Sequence, residues 1–276
     1  DGFYHAGKGT NLLGISAGDV PLLIFYNEEI FEGEDINIIS VAETELADYN
    51  QTNGTQYQPH GYAEYSAESC TWAAAAGLKT STSYGGVEVY KVFNNRIPMS
   101  WEELRCLARD FTKEYGGDYD YGYMSEWWFY YGWSVGGDCV GWDEESNRYK
   151  FTIGDKNANY LAIDDVTVNG TDYKKGEVLE YEDSMWLNKN GTSSVEGKVH
   201  EMPSQYEAFL EFNKLGVPSS KEVEEGVLGY GVAPSTTANR NRWFTSGLSP
   251  MLCDGYQMGN NFKGSAVGGK FNIAPV

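Results

Sequence analysis

Two short stretches of this chain set an acid beside flat aromatic rings: Glu126-Trp127-Trp128 and Asp254-Gly255-Tyr256-Gln257. Rings beside acids and amides form flat binding surfaces, suited to a guest that pairs apolar faces with hydroxyls. Rings stack on the faces, and carboxylates and amides take up the hydroxyls. Each stacked ring adds roughly 0.5–1.5 kcal/mol beyond the area it buries. Each hydrogen bond to a charged group adds roughly 1.5–3 kcal/mol. Two of each suffice for micromolar binding in a preorganised site. Trp133 and Asp138 are weaker candidates nearby. Adjacent helical residues point in different directions, so Trp127 and Trp128 cannot share one role. For Glu126, Trp127 and Trp128 the plainer alternative has one indole in the core and Glu126 capping its helix.

Other chemistries find little support. No Ser-His-Asp, Cys-His, P-loop or G-x-G-x-x-G arrangement stands out, so catalysis is not expected. Three His and four Cys (Cys70, Cys106, Cys139, Cys253) lack metal-ligand spacing, and neither a metal nor a cofactor is expected. Cys106 reads as a small buried apolar group in a helix. Lys plus Arg less Asp plus Glu gives 20 − 40 = −20, a surface that repels phosphate backbones and anionic lipids. Nucleic acid is therefore not an expected partner. With 41% hydrophobic and 22% charged residues, the 276-residue chain can bury a core. Its 21 Tyr and 8 Trp exceed what a core needs, which again points to flat binding surfaces. No apolar run approaches the roughly 20 residues of a membrane span. The N-x-T sites at Asn50, Asn53, Asn169 and Asn190 match glycosylation acceptors, though turn chemistry also accounts for the Asn-Gly pairs.

The elements that must position these residues read as alternating strands and helices. Pro21 to Tyr26, Val87 to Val92, Tyr121 to Met124, Met251 to Cys253 and Phe271 to Ile273 have strand character, as does the apolar run Ile36 to Val41. Ser100 and Glu103 form a capping box for a helix over Trp101 to Tyr115, stopped by Gly116-Gly117. A helix over Glu126 to Tyr131 ends near Gly136-Gly137. Pro203 opens a helix to Leu215, and another covers Thr237 to Ser246. Val166 to Val168 and Val178 to Tyr181 read as a hairpin, with turn signals at Asn169-Gly170 and Lys175-Gly176. The alternation predicts an α/β fold with a mixed, mostly parallel sheet flanked by helices and carrying a β-hairpin insertion. No linker divides the chain, which reads as one domain. Glu126 then begins a helix directly after a strand, at the carboxyl edge where α/β sheets bind ligands.

Several segments in this order resemble family 1 extracellular solute-binding proteins, the maltodextrin-binding type of ABC importer receptor. Ile24-Phe25-Tyr26-Asn27-Glu28-Glu29-Ile30-Phe31 is similar to the family's strand and YN-x-x-x-F turn. Ile97 to Leu104 is similar to its P-x-(T/S)-W-(D/E)-E-L helix start, and Trp133-Ser134-Val135-Gly136-Gly137 to its W-x-x-x-G-G helix end. Trp243 to Gly255 resembles F-x-x-G-x-x-A-M-x-x-(D/N)-G, followed by Phe271 to Val276. The resemblance implies the second lobe of a type II periplasmic-binding-protein-like fold. Residues 1–19 and 274–276 would be hinge crossovers to a first lobe, with the leader and a lipid-attachment cysteine outside this sequence. It also implies an acid and an aromatic touching sugar at the Glu126–Trp128 corner. Where the family commonly places a stacking Trp, this chain has Tyr256 or Gln257. The expected ligand is a carbohydrate, the partner an ABC permease, and the location the outer face of the cell membrane or the periplasm. Membrane contact would come only through that lipid anchor. The stretches 35–95 and 164–202 depart from the family pattern. A glycoside hydrolase using Glu126 with Asp138 or Asp254 is the rival reading; a same-fold receptor for a peptide or polyamine is another.

Overall fold

The computed structural model describes residues 3–5, 12–15, 21–83, 85–125, 129–137, 140–143, 146–214, 237–265 and 267–275. Along the chain run β1 (Phe3–His5), β2 (Leu12–Ile15), β3 (Leu22–Asn27), α1 (Glu28–Gly33), β4 (Asn37–Ile39), α2 (Leu46–Asn53), β5 (Tyr62–Ser66), α3 (Thr71–Ala75), β6 (Ser81–Thr82), β7 (Glu88–Asn94), α4 (Trp101–Phe111) and β8 (Met124–Ser125). There follow α5 (Phe129–Ser134), β9 (Val140–Asp143), β10 (Arg148–Phe151), β11 (Ala158–Ala162), β12 (Val166–Val168), β13 (Thr171–Tyr173), α6 (Tyr181–Asn190), β14 (Val199–Ser204), α7 (Gln205–Lys214), α8 (Thr237–Thr245), β15 (Met251–Gly255), α9 (Met258–Phe262) and β16 (Phe271–Ala274). Among the described residues no helix is long and apolar enough to cross a membrane. The chain divides into two compact units, a division that no linker composition announces in the sequence.

The unit of Asp19–Glu126 and Lys214–Val276 is built on a four-stranded sheet in the order β16-β3-β15-β8. Strand β3 supplies its centre because neighbouring side chains leave on opposite faces. Phe25 meets Phe262 edge-on at 4.9 Å, with Phe244 and Phe271 completing that cluster. Tyr26 faces the other way onto Phe31 and Phe93, and Phe31 continues to Phe111. The Tyr26 phenol accepts a 2.9 Å hydrogen bond from Asn95 Nδ2, and burial pushes its pKa up to about 12. A second sheet, β4-β7-β5 with β6 also on β7, lies between residues 37 and 94. Its interior holds Lys91, whose Nζ lies 3.1 Å from Asp110 Oδ2 on α4. The Tyr62 hydroxyl donates to the same oxygen at 2.7 Å.

Helix α4 starts where its capping box predicts: Ser100 Oγ accepts from the Glu103 N–H, and Glu103 Oε2 accepts from the Ser100 N–H. It stops at Phe111 rather than Tyr115. Thr112 turns extended and donates its hydroxyl to the Ala108 carbonyl at 2.8 Å, and a separate 3-10 turn covers Lys113–Tyr115. The chain then crosses close over α4 at Gly122, where a Cβ would lie 1.8 Å from the Ala108 carbonyl oxygen. The Asn53-Gly54 turn signal proves to be the end of α2, with Gly54 left-handed at φ 66°.

The unit of Asp1–Gly18 and Trp127–Asn213 contains the antiparallel pairs β1–β2, β9–β10, β11–β14 and β12–β13, with α5, α6 and most of α7. Its core gathers Tyr160, Val168, Tyr173, Leu179, Leu187 and Val195. The expected hairpin of Val166–Val168 with Val178–Tyr181 is not formed, and a tighter one takes its place. Asn169-Gly170, both with positive φ (48° and 90°), join β12 directly to β13, as a two-residue Asn-Gly turn should. Val178 makes only an isolated bridge to Leu161, and Tyr181 opens helix α6 instead of ending a strand. Pro203 does not open a helix either; it lies in β14. The β11–β14 register slips between the Tyr160–Glu201 and Ala158–Ser204 pairs, and such an irregularity accommodates a residue without an N–H. Helix α7 begins after it on a second capping box: Ser204 Oγ accepts from the Glu207 N–H at 3.2 Å, and Glu207 Oε2 accepts from the Ser204 N–H at 2.8 Å.

The chain is thus mixed α/β, with mixed sheets. The expectation of a mostly parallel sheet is corrected. Among the described strand pairs only β15–β8 and β4–β7 run parallel. The apolar run of β3 reads as a parallel strand because it is buried on both faces, and burial does not reveal direction.

Candidate functional site

The candidate site grows from the sheet edge at which β15 ends. β8 and β15 run parallel in register, with Met124 opposite Leu252 and Ser125 opposite Cys253. Their carboxyl ends therefore reach one edge together. β16 also finishes there, because Ala274 pairs with Ile24 near the start of the antiparallel β3. The turn after β15 is pinned when the Tyr256 N–H donates to the Pro21 carbonyl at 2.9 Å.

Asp254 sits inside the strand, 7% exposed, and its Oδ1 accepts from the Gly255 N–H at 2.7 Å. It shapes the turn and presents little surface to a ligand. Gln257 folds its amide back over Gly255, where a Cβ would come within 2.3 Å of Oε1. Tyr256 behaves differently: 59% of it is exposed. It forms one wall of a cavity of about 310 Å³, with Asn260 and Lys263 from and just beyond α9 and Phe271 and Asn272 from β16. Phe25 closes the cavity from the core side. The Asn272 amide is held in place by donating to Glu28 Oε1 at 3.0 Å. The cavity therefore offers a phenol ring, an ammonium and amides within the size range of small-molecule pockets.

Glu126, Trp127, Trp128 and Asp138 lie outside the described residues. Trp133 stands on α5 in the other unit, 49% exposed. Asn260, Lys263, Phe271 and Asn272 are not singled out by sequence reasoning. A signal exists for two of them: Tyr256, Gly259, Asn260 and Lys263 follow an i, i+3, i+4, i+7 spacing, one helical face.

A larger cavity in the same unit, about 440 Å³, is lined by Asn27, Glu29, Glu34, Asp118, Tyr119 and Lys270 among others. Burial, and then the nearby Asp118 carboxylate, raises the Glu34 pKa above the usual carboxylate value. Its ring, Tyr119, packs edge-on against Phe111 at 6.2 Å. Lys270 is paired with Glu29 at 2.8 Å. These walls suit a sugar less well than the exposed Tyr256. Among the described residues no group of three or more His, Cys, Asp or Glu is placed to hold a metal ion. Against known proteins, the chain matches no family model, no curated protein and no solved structure.

Proposed function

We propose that this chain is the ligand-holding lobe of a type II periplasmic-binding-protein-like receptor that captures a carbohydrate, an oligosaccharide by preference, and hands it to an ABC permease. It works at the outer face of the cell membrane or in the periplasm. The observation that carries the reading is the convergence of the β8, β15 and β16 carboxyl ends on one edge, with the Tyr256 ring exposed beside a 310 Å³ cavity. Open α/β sheets hold small ligands at the carboxyl ends of parallel strands, and β15 and β8 are such a pair in this mixed sheet. A ring with an ammonium and amides around it matches the faces and hydroxyls of a pyranose.

In this reading a first lobe closes over the ligand and excludes water, so the chain alone binds at about millimolar strength. The test is a thermal-shift screen of the chain against mono- and oligosaccharides, with peptides and spermidine as comparators. A ligand present at about 100 times its Kd adds about 2.7 kcal/mol to stability. Melting raised by one saccharide class supports the proposal. A rise with peptides or spermidine alone, or with nothing, rejects it. Release of reducing sugar that Glu126→Gln abolishes would replace the receptor with a hydrolase.

A further inference from the structure

We propose that the unit of Asp1–Gly18 and Trp127–Asn213 carries its own saccharide subsite, in the cavity of about 430 Å³ between α6, β9 and the β12–β13 turn. Half-buried Trp142, Tyr181 and Trp186 supply its rings. Helix α6 presents Tyr181 and Asn188 at i and i+7 on one face, and Trp186, about 140° further round the helix, lines the same cavity from beside the core.

The wall is built rather than accidental. The Tyr181 ring lies so close to β9 that a Cβ on Gly141 would sit 2.9 Å from its Cδ1. Its hydroxyl donates to Asp155 Oδ2, and the Lys150 ammonium stands 5.5 Å over the ring. Asn169, at φ 48° in its turn, is fixed to α6 through its Nδ2 donating to Asp183 Oδ1 at 3.1 Å. Asn188 donates both amide hydrogens to backbone, to the Ala158 carbonyl at 2.7 Å and the Ser184 carbonyl at 2.9 Å. Its orientation is thereby settled, and its Oδ1 accepts from no group among the described residues. A fixed carbonyl acceptor beside aromatic rings is what a sugar hydroxyl requires.

Charge narrows the ligand further. The chain carries −20 overall, yet this cavity sets Lys150 and Lys189 against Asp143 and Glu182. Two positive and two negative groups cancel, which favours an uncharged polar guest over an anion or a polyamine. The inference does not depend on the edge at Tyr256.

Cellotriose is a suitable probe, because equatorial hydroxyls leave both faces of each ring apolar. The indole N–H signals of the full chain are assigned from Trp142→Phe and Trp186→Phe, then followed by NMR while cellotriose is raised to about 20 mM, a range that reveals millimolar binding. The expected result is a saturable shift of the Trp142 and Trp186 signals. Trp142→Ala should weaken the curve at Trp186 about tenfold, Trp142→Phe should keep most of it, and Tyr256→Ala should leave it unchanged. Backbone amide spectra establish that each variant is folded. Signals that stay still, drift without saturating, or respond equally in Trp142→Ala would overturn the subsite. Loss of the response in Tyr256→Ala would move the binding to the other unit and overturn it too.

Discussion

The Tyr173 hydroxyl donates a 2.5 Å hydrogen bond to the buried carboxylate of Asp183, joining β13 to the first turn of α6. The other carboxylate oxygen accepts from Asn169, so a single acid holds both the hairpin and its turn against the helix. Burial, with Asp183 adding to it, raises the Tyr173 pKa well above its ordinary value. Asp183→Ala leaves the Tyr173 donor buried without its acceptor and should cost about 2–3 kcal/mol in urea unfolding. Tyr173→Phe should cost a similar amount, about 2–3 kcal/mol, because the buried Asp183 Oδ2 loses this donor and the Glu180 N–H loses its acceptor. A double-mutant coupling below about 0.5 kcal/mol would show that the bond contributes little.

Gly122 offers a sharper steric test. A Cβ there would penetrate the Ala108 backbone, which cannot swing aside as a flexible side chain could. Gly122→Ala should destabilise by roughly 3 kcal/mol or more, with the unit of Asp19–Glu126 and Lys214–Val276 losing cooperativity. Gly33, at the end of α1, has open space where a methyl group would point, with no atom within 4 Å. Gly33→Ala should therefore be neutral or stabilising by about 0.4–1 kcal/mol. Equal melting temperatures for the two variants would contradict the close crossing over α4.

Glu34 predicts a pH dependence of defined sign. Its folded-state pKa is raised, by burial first and by Asp118 next. Below the ordinary carboxylate pKa the group is protonated folded or unfolded and has no effect on the balance. As pH rises through the raised value, the folded state must ionise an unfavourably placed acid, so stability falls. Glu34→Gln should therefore melt higher than the parent at about pH 7 and at the same temperature at about pH 3. A gain of equal size at both pH values would mean that packing, not ionisation, is responsible.

Legibility differs from element to element for physical reasons. Strands β3, β15 and β16 and helix α4 announce themselves, through apolar runs, the alternation of Phe271 and Ile273 about Asn272, or the Ser100–Glu103 box. Helix α2 does not: LADYNQTN buries only Leu46, so no apolar stripe marks it. Helix α6 is hidden because Asn169-Gly170 and Lys175-Gly176 both look like strand punctuation, and no side chain caps its start. At Pro203 the ring fits two roles, helix start and strand irregularity, and only the β11 pairing decides between them. At the candidate site the exposed ring of Tyr256 is readable from its turn. Asn260 and Lys263 are legible only through their helical spacing from Tyr256, a signal that Gly259 obscures by making α9 look like loop.

The central claim is that Tyr256 stacks on a sugar at the carboxyl edge of its sheet. Calorimetric titration of the saccharide selected by thermal shift, into the parent, Tyr256→Trp and Tyr256→Ala, tests it most directly. The account predicts saturable binding to the parent, equal or tighter binding to Tyr256→Trp, and a loss of about tenfold in Tyr256→Ala, the equivalent of about 1.4 kcal/mol. Unchanged affinity in Tyr256→Ala would contradict it.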